Sequence, residues 1–201
     1  MGENNFNRLI ETAVKKYWDK PAFTDYKKDT LTFGEVGKHI LVLHEVFRKR
    51  KITPDDKIAM IGANSANWAI VYLAVITYGA TVVPILPDFH DEDRQHIINH
   101  SESRVLFAAD DIAAAIDEEK MEKLTTIVSL NTLELITFKD KGLPEEVRKT
   151  EKKARKHVTA ADRETFSLPP DRDGDRRGEV GAGSARHRPT RVGSGLMTSG
   201  C

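Results

Sequence analysis

The stretch "MIGANSANWAIVYLAVITYGATVVPI", residues 60–85, constrains the fold of this chain more than any other. It predicts the end of a strand, a turn, an amphipathic helix and a second strand, and two parallel strands need a crossover of this kind. Such a unit usually handles a nucleotide. The turn from Gly62 to Ser65, however, has one glycine where a phosphate-cradling loop has two or three. The stretch therefore has the outline of a nucleotide-binding unit without its phosphate-binding glycines.

The same alternation of strand and helix continues on both sides of this unit. Buried apolar runs predict strands near 57–61, 81–85, 104–108 and 125–129, and the first three should be mutually parallel. Helices are expected between them, at 90–100 and at about 111–119, and Pro84 places its strand at a sheet edge or exit. This pattern is typical of an α/β domain with a largely parallel sheet flanked by helices.

The first 50 residues predict two helices around a hairpin. Apolar residues at helical spacing favour a helix over 4–18, and short strand signals at 21–26 and 30–33 surround a turn. Thr32 and Glu35 have the spacing of a capping box, which opens a second helix. Its apolar stripe consists of Val36, Ile40, Leu43 and Phe47.

Composition divides the chain near residue 170. Residues 171–201 contain six arginines, no lysine and seven of the 13 glycines, and they lack Ile, Phe, Tyr and Trp. Such a segment buries too little apolar surface to offset its ordering entropy, so we expect a disordered tail. An out-of-frame reading of GC-rich DNA would produce this composition, and a natural flexible tail is the alternative. Residues 1–135 form the well-patterned part, and residues 136–170 form a weaker extension that includes a surface helix.

Charge and cysteine content exclude several classes of protein. Lys plus Arg and Asp plus Glu both number 31, so no global charge indicates nucleic acid or an anionic membrane as partner. The single cysteine, Cys201, excludes an internal disulfide framework. The sequence contains no run of about 20 apolar residues, which is the length that a transmembrane helix needs. We expect a cytoplasmic protein without a transmembrane segment, and the oligomeric state stays open.

For the turn residues and the aromatic pair that could contact a ligand, we favour a purely structural role. Gly62, Asn64 and Ser65 could bring helix amides to an anion, but Asn and Ser are also ordinary helix caps. Trp68 and Tyr72 are expected in the core rather than in a cofactor site.

Two further groups of residues could bind a ligand, and for both we favour a solvated surface. His96 and His100, with His90 nearby, lack a further metal ligand at suitable spacing. The basic run at 148–157 has no interleaved aromatic and suits a solvated helix face. We assign no catalytic, cofactor-binding or metal residue.

Three segments in order carry a resemblance to a known family. They are "LTFGEV" at 31–36, "ITPDDKIAMIGANSANWAIVYLAVITYGATVVPILP" at 52–87 and "HIINHSESRVLFA" at 96–108. The chain resembles the N-terminal part of the AMP-forming acyl-CoA synthetases, the adenylate-forming family. The stretches "PAFTDYKKDTLTF" and "YGATVVPIL" are most similar to the long-chain fatty-acid branch.

The resemblance implies ATP-dependent activation of a fatty acid through an acyl-adenylate, with ATP, Mg²⁺ and CoA as cofactors. It also implies that the unit at 60–85 is structural and forms part of the sheet, whereas a later Gly- and Thr-rich loop binds the triphosphate. The 201 residues do not contain that loop, since the anomalous tail stands where the family would approach it. We therefore expect an inactive fragment onto which no catalytic residue of the family can be carried over.

Two alternatives from other classes remain. The first is a non-catalytic α/β binding or interaction module on the same scaffold. The second, which the missing glycine fingerprint disfavours, is a nucleotide-binding oxidoreductase.

Overall fold

The computed structural model of the protein describes residues 5–27, 30–138 and 160–170. Its helices are α1 (Phe6–Lys16), α2 (Phe33–Lys49), α3 (Ala66–Tyr78), α4 (Asp91–Ser101), α5 (Asp110–Ala115) and α6 (Ala160–Thr165), with a 3-10 turn at Glu118–Lys120. Its strands are β1 (Pro21–Thr24), β2 (Thr30–Thr32), β3 (Lys57–Ile61), β4 (Thr81–Ile85), β5 (Val105–Ala108), β6 (Thr126–Ser129) and β7 (Leu135–Phe138). The expected surface helix within 139–159 and the expected tail of 171–201 lie outside the described residues.

The central sheet has the strand order β4-β3-β5-β6-β7. The four strands from β4 to β6 are parallel, with Ile58 opposite both Val82 and Val105. All four residues of β5 and of β6 are buried, as strands covered on both faces should be. The predicted α/β class, the four strand positions and the parallel pairing are confirmed. The sequence reasoning did not foresee β7, which pairs antiparallel with β6.

Helices cover both faces of this sheet. Ile58 and Met60 point into a core shared with α1, α2 and α3, whereas Ala59 and Ile61 point into a second core shared with α4 and α5. The alternation follows from the pleat, since successive side chains of a strand point to opposite faces. β4 is an edge strand, as the prolines predicted.

Helix α3 is the crossover of the opening stretch. Ser65 caps its first turn and Gly79 ends it with a φ of +91°, a conformation that glycine adopts without steric cost. The face predicted to be buried comprises Trp68, Val71, Tyr72 and Val75, of which Val71 and Val75 are fully buried. Trp68 and Tyr72 pack against the same core but are only half-buried, and their rings stack with centroids 5.3 Å apart.

The N-terminal helices and hairpin form as the sequence predicts. β1 and β2 pair antiparallel, and the capping box is complete: the Glu35 amide donates to Thr32 Oγ1 at 3.2 Å and the Thr32 amide donates to Glu35 Oε2 at 2.7 Å. The apolar stripe of α2 is buried against α1, α3 and the sheet.

Residues 160–170 dock on the N-terminal helices and complete the core. The Phe166 side chain is 1% exposed and meets the Trp18 ring edge-on, with centroids 6.3 Å apart. Asn7, itself buried, donates from Nδ2 to the Thr77 carbonyl at 2.8 Å and to the Pro169 carbonyl at 2.9 Å. The end of the weakly patterned extension is thus part of the core.

Candidate functional site

Ligands of open parallel sheets bind where the carboxyl ends of the strands meet, so this edge is the first candidate site. The loops after β3, β5 and β6 converge there. A Cβ on Gly62 would lie 2.6 Å from Leu130 Cδ2, and Ala109 is the next neighbour at 3.6 Å. Gly62, the single glycine of the turn, therefore leaves space for the Leu130 side chain. Its role is in packing and not in phosphate contact.

The N-terminus of α3 is already occupied by protein oxygens. The Ala66 amide donates to Asp25 Oδ1 at 2.8 Å, and the Trp68 amide donates to Ser65 Oγ at 3.1 Å. Amides of a first helical turn are the groups that would bind a phosphate, and here a carboxylate takes the favourable position at the positive end of the helix. A phosphate at the same place would be repelled by Asp25.

Two asparagines join the elements around this edge. Asn67 on α3 donates from Nδ2 to the carbonyls of Leu130 and Asn131, at 3.0 and 2.8 Å. Asn131 Oδ1 in turn accepts from the Asp110 amide at the start of α5, at 3.2 Å. These bonds hold the β6–β7 turn against two helices, so the polar groups of the edge serve mainly to bind the chain to itself.

The proposed anion contacts at Gly62, Asn64 and Ser65 are thus not assembled into a phosphate site. Ser65 caps α3, Gly62 is buried under Leu130, and Asn64 is exposed. The described residues of this edge do not fit the phosphates of ATP. The sequence could not show the reason, because Asp25 lies 41 residues before the amide that it accepts from.

The opposite, amino edge of the sheet contains an ion pair that sequence reasoning missed. Asp56 Oδ2 accepts from the Thr53 amide at 2.6 Å and from Arg104 Nη1 at 3.0 Å. Burial acts to raise the pKa of Asp56, but the hydrogen bonds from Thr53 and the Arg104 charge outweigh it and hold the pKa below its ordinary value. The pair joins the starts of β3 and β5, so two residues of the family-like segments have a structural role.

His44 is a half-buried titratable group between α2 and α3. Its Nε2 lies 2.9 Å from the Ala74 carbonyl and 3.0 Å from Thr77 Oγ1, between α2 and α3. Since the carbonyl can only accept, Nε2 carries the proton. Burial lowers the pKa of His44 to about 4, and the bond to Ala74 opposes this shift. The protonated Nε2 cannot take the proton of the buried Thr77 hydroxyl, which itself donates to the Leu73 carbonyl at 2.6 Å. We therefore assign His44 a packing role.

The other candidates do not form a catalytic constellation in the described ranges. His96 and His100 lie exposed on α4, and His90 precedes that helix without a side-chain cap bond. No group of three or more His, Cys, Asp or Glu side chains in the described part of the chain could hold a metal ion. The basic run of 148–157 lies outside the described residues.

A cavity of about 90 Å³ lies between α1, the β1–β2 hairpin, α2 and α3. Its lining is apolar and includes Ile10, Phe23, Phe33, Ile40 and Leu73. It offers no polar group to orient a substrate. None of the helices within the described ranges is long and apolar enough to cross a membrane.

The fold defines a class first: an α/β protein with a mainly parallel sheet covered by helices on both faces. The sequence model of the AMP-binding enzyme family matches residues 10–174, which is most of the chain. The chain therefore belongs to the AMP-binding enzyme family. The match ends close to residue 170, where the composition changes.

Two relatives illustrate this membership. Surfactin synthase subunit 2 of Bacillus subtilis (strain 168) is 28% identical over 111 residues, which cover 55% of this chain and 3% of that protein. 4-Hydroxybutyrate–CoA ligase 2 of Metallosphaera sedula is 24% identical over 136 residues, covering 68% of this chain and 23% of that protein.

The crystal structure of the anthranilate CoA ligase AuaEII in complex with anthranoyl-AMP is similar in fold. It superimposes with a TM-score of 0.61 at 15% identity, covering 82% of this chain and 29% of that one. The chain thus spans less than a third of each of these three proteins.

Proposed function

We propose that residues 1–170 are the N-terminal sheet wall of an adenylate-forming ligase, and that they support the chemistry without performing it. The observation that carries this proposal is the occupied N-terminus of α3, where Asp25 and Ser65 accept the amides that a phosphate would need. Family membership supplies the reaction class, in which ATP and an acid give an acyl-adenylate.

In the complete ligase the carboxylate attacks the α-phosphate and pyrophosphate leaves. We propose Mg²⁺ and CoA as further participants, with the CoA thiol displacing AMP. The described residues hold the strands of the sheet in place, and the rest of a site would be built from these strands. The asparagine bonds do this at the carboxyl edge and the Asp56–Arg104 pair at the amino edge. We also propose a cytoplasmic location, since the single cysteine, Cys201, suits a reducing compartment.

For the acid itself we propose a long-chain fatty acid, on the wording of residues 21–33 and 78–86. The names of the relatives widen the range to be tested, because one is a 4-hydroxybutyrate–CoA ligase and another was solved with anthranoyl-AMP. An acid panel should therefore contain short and long fatty acids, 4-hydroxybutyrate, anthranilate and the common amino acids.

The test is pyrophosphate release from the purified 201-residue protein with ATP, Mg²⁺ and this panel. We expect no turnover, because loss of even one donor to the developing charge typically costs about 2.7–4 kcal/mol, and the triphosphate-gripping loop is not among these residues. Calorimetry should show ATP binding no tighter than about millimolar. Turnover that disappears when a residue within 1–170 is changed would refute the scaffold role.

A non-catalytic interaction module on the same α/β scaffold is the second candidate, and the occupied N-terminus of α3 favours it, because that helix offers a phosphate no free position. Re-reading the encoding DNA past codon 170 in the other frames separates the two. A Thr-Ser-Gly-Thr-Thr-Gly sequence soon after that codon would establish a broken ligase. No such sequence in any frame would favour the module.

A further inference from the structure

The outward face of α4 presents two histidines one helical turn apart. His96 and His100 are both exposed, and their rings lie parallel, with an interplanar angle of 7° and centroids 5.8 Å apart. Neither ring forms a hydrogen bond to another described residue. Both imidazoles therefore keep a nitrogen lone pair that is open to solvent when the ring is neutral.

This spacing suits a bidentate chelate. Side chains four residues apart on a helix are neighbours, and imidazole nitrogens bind transition metals at about 2.0–2.1 Å. Two imidazoles on adjacent positions of one ion then have centroids about 5 Å apart by the same bond lengths. Because the rings are parallel, their in-plane lone pairs do not yet meet at one point. Binding therefore requires both exposed rings to rotate about their side-chain torsions as well as to approach by less than about 1 Å.

The helix that holds the pair is anchored to the rest of the domain. Ile98 is 1% exposed in the core against the sheet, and Asn99 bonds the segment after α5, donating to the Lys120 carbonyl at 2.9 Å and accepting from the Glu122 amide at 3.3 Å. The backbone at 96–100 is thus fixed before any ligand arrives, which reduces the ordering cost of binding. Glu92, one turn earlier, lines the same open cleft and adds negative charge.

We propose that His96 and His100 form a surface chelation site for a divalent first-row transition metal ion. Imidazole suits Cu²⁺, Ni²⁺ and Zn²⁺, and the general order of affinities places Cu²⁺ first. Water completes the coordination, since no third His, Cys, Asp or Glu in the described ranges joins the two in a cluster. The site does not depend on the proposed ligase function.

The experiment is titration of the purified protein with Cu²⁺, Ni²⁺ and Zn²⁺ by calorimetry. His96→Ala and His100→Ala should each raise the Kd for Cu²⁺ about tenfold or more, because each removes the chelate. The double variant should bind at least as weakly as either single one, but its loss should be smaller than the sum of the two single losses. His90→Ala is the matched control: it removes an exposed histidine beside the same helix and should leave the Kd unchanged.

Electron paramagnetic resonance of the Cu²⁺ complex gives a second readout. The parent protein should show two imidazole nitrogens on one ion, and each single variant should show one or none. Because both residues are exposed, far-UV circular dichroism should confirm that the variants keep the parent fold. Unchanged Cu²⁺ affinity in both single variants, or loss of binding when His157, His187 or Cys201 is replaced instead, would overturn the proposal.

Discussion

Replacing Phe166 with alanine tests whether residues 160–170 belong to the folded domain. The ring is 1% exposed, meets Trp18 edge-on and lies against Gly37, where a Cβ would approach Phe166 Cε2 to 3.0 Å. Truncation of a buried phenylalanine costs about 3–5 kcal/mol, of which the aromatic pair accounts for about 0.5–1.5 kcal/mol. We expect a loss of about 3 kcal/mol, the lower end of that range, because a short docked segment can settle into the space.

The loss has an upper limit that can be measured separately. It cannot exceed the free energy of docking 160–170, since beyond that value the segment simply detaches. That docking also includes the buried Leu168 and the bonds from Asn7 to Pro169 and from the Leu168 amide to Glu11, the latter 3.1 Å long. A protein that ends at residue 159 should therefore lose at least as much stability as Phe166→Ala.

Urea unfolding followed by tryptophan fluorescence and circular dichroism measures both changes. Leu9→Ala is the control, because that side chain is 64% exposed and should change the free energy of unfolding by less than about 0.5 kcal/mol. A loss below about 1 kcal/mol for Phe166→Ala, or a truncated protein as stable as the parent, would show that the segment does not dock as described.

Three further predictions concern single residues. Burial lowers the pKa of His44 to about 4 in the folded protein, whereas the unfolded value is about 6.5. The contribution of His44 to the free energy of unfolding is therefore complete above pH 6.5 and falls by about 3 kcal/mol as the pH drops to 4. His44→Gln should flatten this pH dependence in urea unfolding curves. Asp25→Ala should lower the free energy of unfolding by about 0.5–2 kcal/mol, because it removes the acceptor of the Ala66 amide. Asp25→Asn keeps an acceptor oxygen and should cost less. Equal losses of stability for the two variants in calorimetric unfolding would contradict a hydrogen-bonding role. Gly79→Ala places a Cβ at a φ of +91° and should cost about 1–2 kcal/mol, and an unchanged melting temperature would argue against this backbone conformation.

Much of the fold was predictable because its signals are local. The strands at 57–61 and 81–85, the capping box of Thr32 and Glu35 and the glycine that ends α3 each depend on residues within a few positions of one another. Side-chain period, capping bonds and backbone freedom act over one or two turns, so the sequence shows them directly. The class of the sheet follows from the same signals, because alternating strands and helices favour parallel crossovers.

The candidate site was predictable only in part. The sequence indicates that the turn at 62–65 lacks phosphate-binding glycines, but it does not show what accepts the α3 amides instead. The half-burial of Trp68 and Tyr72 also could not be read from helical spacing, because spacing shows a shared face and not how far the neighbouring elements cover it.

The sequence by itself determined most of the elements, their order and the family, but not β7. Tertiary structure alone decided the contacts that give those elements their roles: Asp25 on the Ala66 amide, Asp56 with Arg104, and Asn7 with Pro169, which are 41, 48 and 162 residues apart. No local propensity encodes such pairs, because each forms only after packing of the sheet and helices has brought its two segments together and offset the entropy of closing the chain between them.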